Sequence, residues 1–447
     1  MKIPKNQLKN TTKNLILLSL FLLLIVLTAI SWLGDLSLDA IPADSWLGRT
    51  YIDLSFGASG GFELRSGEIP AAYPVECAVW DDASLRGAQY NEVAVKSFLS
   101  DYGQTVASAL AGVRRLEEGS ETDFRAALSD AALYLRYDSV LPLSLLTNWM
   151  GGTLSVSDDP AVTALLLTRS GELWLRGDGA ALWTGTTGQK LADVQFRAQA
   201  FSGYACRFAA LSGTPYDGAA VHPETLLFDD TLSLPTLTST AAQFDTESAA
   251  SLQQLLQAFG YEPHVRNYDD GDSGKRVFVE SQSTLRVGED GTVVFRANTV
   301  EGGLEAYLES ELGGEQPLAF QIDYARRLLD TAAQAFSSDA SFYFVYAEDD
   351  RTSGVTRLLF RYAVGGVPVM DADGVMAVIE FRDNMFVSAA LNLRSFTQGE
   401  VTAGLLPSGQ AASAAVGETR GLHVGYFVRE DGAYAARRYY LIDGKES

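Results

Sequence analysis

SFYFVYAE (Ser341–Glu348), TRLLFRYAV (Thr356–Val364), GVMAVIEFR (Gly374–Arg382) and MFVSAALNLRSF (Met385–Phe396) are four β-branched and aromatic runs separated by polar or glycine-containing turns. Such runs predict consecutive antiparallel strands. Before them, Ile322, Ala325, Leu328, Leu329 and Ala332 recur at helical spacing and predict one amphipathic helix over Ile322–Phe336. One helix followed by four strands defines an α+β unit. LLPSGQAASAAV (Leu405–Val416) reads as a short helix, and GLHVGYFV (Gly421–Val428) with RRYYLID (Arg437–Asp443) closes as a hairpin.

The same logic extends towards the N-terminus. KRVFVESQSTLRVGEDGTVVFRA (Lys275–Ala297) alternates as a meander turning at Glu289–Thr292, after a helix predicted over Glu247–Phe259 and ended by Gly260. The Pro-punctuated run His222–Thr240 marks a domain boundary. Upstream, VTALLLTRSGELWLRGDGAALWTG (Val162–Gly185) reads as two or three antiparallel strands. Ala132–Met150 reads as a strand, a break at Pro142 and a short apolar helix. Helices are predicted over Asn91–Glu118, with Gly103 and Gly112 as breaking points, and over Thr122–Ala132, with Ser120 as cap. YPVECAVW (Tyr73–Trp80) is a strand, and Tyr51–Phe56 with Gly61–Arg65 a hairpin.

LILLSLFLLLIVLTAISWL (Leu15–Leu33) carries no charge and reaches about 28 Å as a helix, close to the ~30 Å hydrocarbon core of a bilayer. Lys2, Lys5, Lys9 and Lys13 precede it and Asp35, Asp39 and Asp44 follow, which places the N-terminus in the cytoplasm and the remainder outside. A cleaved signal peptide shares the charged start, but its apolar core is usually ~7–15 residues. The length favours an uncleaved anchor, with Trp32 and Trp46 suited to the outer interface. Leu15, Leu18, Leu22, Ile25, Ala29 and Trp32 form a three-four seam, the candidate partner-binding face of the span. The domain organisation is therefore a basic tail (1–14), a membrane span (15–33), an N-terminal α+β ectodomain (35–235), a central helix and meander (240–316) and a C-terminal α+β domain (317–447).

The chain carries a net charge of −22, and all four lysines of the tail lie before the span, so the exported part sets 30 basic against 56 acidic residues. That excess argues against nucleic acid, anionic lipid and teichoic acid as ligands. Cys77 and Cys206 could form one disulfide or remain two buried thiols. His222, His264 and His423 are isolated, without zinc-type spacing. Gly57–Gly61 matches G-x-S-x-G around Ser59, yet a strand follows where a nucleophile elbow needs a helix. Gly271–Gly274 matches a protease-like G-D-S-G around Ser273, with no recognisable histidine base. Asp269, Asp270 and Asp272, and Asp371 with Asp373, are acidic turns that lack the twelfth-position glutamate of a calcium loop. His264 beside Pro263 could report pH through its imidazole, and reads instead as a surface or packing residue. No catalytic, cofactor or metal residue is assigned.

RYAVGGVPV (Arg361–Val369), LLPSGQAA (Leu405–Ala412) and LHVGYFV (Leu422–Val428), following an N-in anchor and a helix-then-strand middle, together resemble the YycH and YycI families of Gram-positive bacteria. FGYEPHVRNYDDGDSGKRVFVESQSTLRVGEDGTVVF (Phe259–Phe295) resembles the YycH central domain, and the last third resembles a PepSY-type hairpin module. The resemblance implies a non-enzymatic, cofactor-free membrane protein. Its partner would be a WalK-type sensor histidine kinase governing cell-wall metabolism, with a second YycH/YycI-type protein as a further candidate partner. The alternatives from other classes are an exported serine hydrolase using Ser59 or Ser273, and a wall-associated PepSY-like module that binds a ligand or inhibits a protease.

Overall fold

Nine antiparallel strands make the first sheet, and the N-terminal half of its middle strand carries apolar side chains on both faces. The computed structural model describes residue 70 and residues 72–446 apart from 82–83, 189–190, 192–200, 214–220, 245–248, 263, 272–273, 281, 299–303, 306–316, 335–339, 351–353, 371–375, 383–384, 402–403, 415–420 and 443–444. The chain enters through β1 (Glu76–Asp81) and β2 (Ser84–Gln89), runs down helix α1 (Glu92–Gly112), then β3 (Glu117–Glu118), α2 (Glu121–Leu128), β4 (Ala131–Pro142) and α3 (Leu143–Trp149). It returns through β5 (Ala161–Thr168), β6 (Glu172–Gly177), β7 (Leu182–Thr186), β8 (Tyr204–Phe208) and β9 (Leu226–Phe228). The strand order is β3-β7-β6-β5-β4-β1-β2-β8-β9. Along β4, Leu133 and Leu135 face the core that α1 fills, and Tyr134 faces the core that Phe124 and Leu128 of α2 fill. A strand covered on both faces can be apolar without alternation.

Local chemistry sets the ends of both helices. Asn91 caps α1, its Oδ1 accepting the Ala94 amide at 3.0 Å, and Ser120 caps α2, its Oγ accepting the Asp123 amide at 3.1 Å. The predicted run to Glu118 stops at Gly112: the Thr187 carbonyl packs so closely there that a Cβ would collide with it. Val113 then turns extended and carries Glu117–Glu118 to the sheet edge as β3. Gly103 lies buried inside α1 and does not break it. Helix α2 ends at Leu128 because Ala131 and Ala132 already belong to β4.

The second sheet holds β10 (Pro235–Ala241), β11 (Arg266–Asp270), β12 (Lys275–Val279), β13 (Ser283–Gly288), β14 (Thr292–Ala297) and the two-residue β15 (Leu304–Glu305). It continues with β16 (Ala340–Asp350), β17 (Val355–Val364), β18 (Val367–Met370), β19 (Ala377–Arg382), β20 (Met385–Asn392), β21 (Arg394–Val401), β22 (Gly421–Val428), β23 (Tyr434–Ile442) and β24 (Lys445–Glu446). Helix α4 (Ala249–Ala258), α5 (Pro317–Gln334) and α6 (Ser408–Ala414) accompany it. The order is β11-β12-β13-β14-β20-β19-β17-β18-β22-β23-β10-β21; β18 and β22 pair in parallel, and the other pairs are antiparallel. β14 of the meander hydrogen-bonds to β20, so strands before and after residue 316 share one sheet. The architecture is thus α+β with two sheets dominated by antiparallel pairing.

Ile322, Ala325, Leu328, Leu329 and Ala332 line the buried face of α5, as their spacing predicts, although the helix begins earlier, at Pro317. Phe295 and Phe386 stack at 4.5 Å with Phe259 and Tyr324 against them, fastening α4 and α5 to the meander. Aromatic pairs of this kind contribute about 1 kcal/mol each beyond the area they bury. One buried cluster runs from Cys77 of β1 in the first sheet to Ala436 of β23 in the second.

Gly365 and Gly366 form the β17–β18 turn, with φ of 60° and 86°. The Gly365 carbonyl accepts the Glu92 amide at 3.0 Å, and a Cβ on Gly366 would lie 3.0 Å from that amide nitrogen, whereas a Cβ on Gly365 would meet nothing. Gly366→Ala should therefore cost about 2 kcal/mol in urea unfolding and Gly365→Ala about 1 kcal/mol, the first carrying contact as well as backbone strain. Equal losses would show that the turn is not pinned to α1.

Candidate functional site

Arg136 and Asp138 point from the same face of β4 into the joint between the two sheets. The Arg136 side chain is 14% exposed. It donates to Glu76 of β1 at 3.0 Å, to Asp138 at 3.1 Å and to the Tyr90 hydroxyl at 3.1 Å. From the second sheet, the His423 Nδ1–H of β22 donates to Asp138 at 2.9 Å, and the Tyr439 ring lies 5.5 Å from the imidazole. Burial works against the charge of Arg136, but Glu76, Tyr90 and Asp138 hold its pKa above the ordinary value. Burial also pushes the Asp138 carboxyl up; His423, Arg136 and Arg361 outweigh it and bring it down to about 2. Beside this cluster, Ser139 donates to the Phe344 carbonyl of β16. The arrangement registers one sheet against the other.

A second buried guanidinium ties the first sheet together. Arg176 of β6 reaches Glu224 at 2.9 and 3.2 Å and Glu121 at 2.9 and 3.3 Å, with Phe124 4.7 Å beneath it. These contacts join β6, the start of α2 and the approach to β9.

A cavity of about 350 Å³ opens next to the cluster, where β2, β8, β9 and residues 230–233 meet. Gln89, Asn91, Tyr204, Asp230, Thr231 and Ser233 supply its polar wall. Tyr90, between the first two, has φ 46°, the one positive value outside glycine among the described residues. A non-glycine residue held there costs on the order of 1–3 kcal/mol, and such strain gathers at ligand and switch sites. Here it sends the Tyr90 hydroxyl inward to Arg136 while its two neighbours line the cavity.

The residues singled out from sequence fall elsewhere. Leu15, Leu18, Leu22, Ile25, Ala29 and Trp32, the whole predicted span, and Ser59 lie outside the described residues, as do Asp272, Ser273, Asp371 and Asp373. Among the described residues, no helix is long and apolar enough to cross a membrane, and no three His, Cys, Asp or Glu side chains gather as a metal group. Gly271 and Gly274 sit in the β11–β12 turn, where Gly274 donates to the Asp270 carbonyl at 2.9 Å; Asp269 pairs with Arg276 at 2.9 Å and His264 is exposed. Cys77 packs into the core on the α1 side of the sheet and Cys206 against the core on the α2 side, so the two sulfurs face apart and are free. Burial pushes both thiols up in pKa. The charge cluster is absent from the sequence expectations, although Arg136 and Asp138, two residues apart in an otherwise apolar strand, are its visible trace.

No family model matches the chain, and no curated protein matches it. Among solved structures, YycH from Bacillus subtilis aligns over 86% of this chain and 97% of its own, at 13% identity and a TM-score of 0.47. An uncharacterised protein from Eubacterium rectale aligns over 48% of this chain and 80% of its own, at 10% identity and a TM-score of 0.27. Neither likeness reaches a TM-score of 0.5, and neither assigns an activity.

The lowered Asp138 carboxyl contributes stability that is complete above the unfolded-state pKa of about 4 and is lost as pH falls towards 2, about 2 kcal/mol in all. Asp138→Asn should lower stability at pH 7 and flatten the acid limb between pH 4 and 2 in urea melts; an unaltered limb would remove Asp138 from the linkage. Under native, non-reducing conditions neither thiol should react readily with a thiol reagent, and both should alkylate on unfolding without reductant. A mass two hydrogens short would reveal a disulfide.

Proposed function

We propose that this chain is a membrane-anchored extracytoplasmic regulator that binds a WalK-type sensor histidine kinase and biases its control of cell-wall metabolism. The observation that carries the reading is the convergence of the three stretches that resemble YycH and YycI. Arg361–Val369 supplies the end of β17 and β18, Leu422–Val428 supplies β22, and these pair in parallel at Val369–Tyr426. Leu405–Ala412 leads into α6, where Ser408 accepts the Phe228 amide of β9 at 2.6 Å. The first and last stretches, more than fifty positions apart, are brought side by side by the β18–β22 pairing, and the middle one packs against β9 of the first sheet.

The apolar run Leu15–Leu33 behind its four lysines supports the anchored, N-in orientation. Regulation by contact needs a difference in affinity for two kinase conformations; a tenfold change in kinase output at equilibrium needs about a tenfold difference. The span, through Leu15, Leu18, Leu22, Ile25, Ala29 and Trp32, and the folded part are the two contact surfaces, and a second protein of the same type shares the complex.

Crosslinking the full-length protein in its own membrane, then purifying and identifying what is attached, should recover a sensor histidine kinase. Replacing Leu15–Leu33 by an unrelated apolar span of equal length should then alter kinase output. Unchanged output would confine the contact to the folded part, and recovery of wall polymer or protease without kinase would overturn the proposal.

A further inference from the structure

We propose that the cavity between β2, β8, β9 and residues 230–233 binds one unit of a neutral pyranose glycan, with Tyr204 as its stacking platform. Binding here stands apart from any contact with a kinase.

Tyr204 is 59% exposed at the first position of β8, an unusual place for so large a ring. The face of an aromatic ring is electronegative and suits the C–H face of a pyranose. In the same lining, Asp230, Thr231 and Ser233 are exposed residues whose side chains make no hydrogen bond among the described residues. Asn91 spends its Oδ1 on the α1 cap and keeps both amide hydrogens. Gln89 meets Arg438 only at 3.5 Å, too long for a strong bond, and likewise keeps donors to offer. Donors and acceptors thus share the cavity wall with one exposed aromatic ring, a set of groups that suits the C–H face and hydroxyls of a sugar.

Other ligand classes fit less well. Among the described residues no lysine, arginine or histidine lines the cavity, Arg438 reaches only the back of Gln89, and Asp230 adds to the acidic excess of the exported part, so phosphates and carboxylates are disfavoured there. A peptide adding itself as a strand needs a free edge, and the nearest, β9, is capped: Ser408 accepts from the Phe228 amide at 2.6 Å and its hydroxyl lies 3.3 Å from the Leu226 carbonyl. The volume, about 350 Å³, is at the lower end of the usual ~300–1,000 Å³ for small-molecule sites and suits a single sugar unit with its neighbours in solvent.

The test uses the full-length protein in nanodiscs, with cellotetraose, maltotetraose and chitotetraose as neutral probes and oligogalacturonate as the anionic one. Saturation-transfer NMR detects contact and calorimetric titration measures affinity. At least one neutral tetrasaccharide should bind, and Tyr204→Ala should weaken it at least tenfold. Ser233→Ala, at an exposed loop position, should weaken it several-fold, with urea midpoints of both variants unchanged. Binding that survives Tyr204→Ala would place the sugar elsewhere and overturn the proposal. Transfer to none of the neutral probes, or to oligogalacturonate alone, would overturn it as well.

Discussion

A guanidinium removed from water has to be neutralised, and the joint of this molecule is organised around that requirement at Arg136. Taking such a charge into the interior costs several kcal/mol, and removing one partner of a buried pair typically costs about 3–5 kcal/mol. The partners come from everywhere nearby: Glu76 from β1, Asp138 from the same strand, Tyr90 from the β2–α1 turn and, through Asp138, His423 from the other sheet. The strain at Tyr90 is the counterpart of this arrangement. A residue with ordinary φ would not bring its hydroxyl to Arg136 while leaving Asn91 at the cap of α1.

The cluster also explains how two large sheets keep one relative placement. Apolar contact between them is broad, since one core spans both, but apolar contact is non-directional and tolerates sliding. Hydrogen bonds, being directional, do not. Asp138 to His423, Ser139 to the Phe344 carbonyl and the Gly365 carbonyl to the Glu92 amide are three directional contacts along the seam.

Much of the local architecture is legible in the residues themselves. The Ser120 cap, the inward face of α5 from Ile322 to Ala332 and the turn at Gly291, with φ 81°, all follow from spacing and side-chain chemistry. What escapes is what depends on distant partners. Helix α1 ends at Gly112 because of Thr187, seventy-five positions later, and its own periodicity runs on through Val113 and Leu116. β8 reads YACRF with mostly exposed side chains and is a strand only because β2 and β9 lie beside it. The charge cluster fails for the same reason: Arg136 and Asp138 are conspicuous in β4, but Glu76 is 60 and His423 285 positions from the residues they meet.

β10 has a consequence for the birth of the protein. It lies at 235–241, directly after the first sheet is complete, yet its neighbours are β21 at 394–401 and β23 at 434–442. A chain emerging from its N-terminus therefore carries β10 with both edges open and Leu237, fully buried in the end, in water until the last strands arrive. Contacts so distant in sequence form slowly, and open edges invite pairing with other chains. The first sheet can settle early, whereas the second closes only when the final hairpin is delivered, which makes Gly421–Val428 and Tyr434–Ile442 a clasp and their loss a route to aggregation.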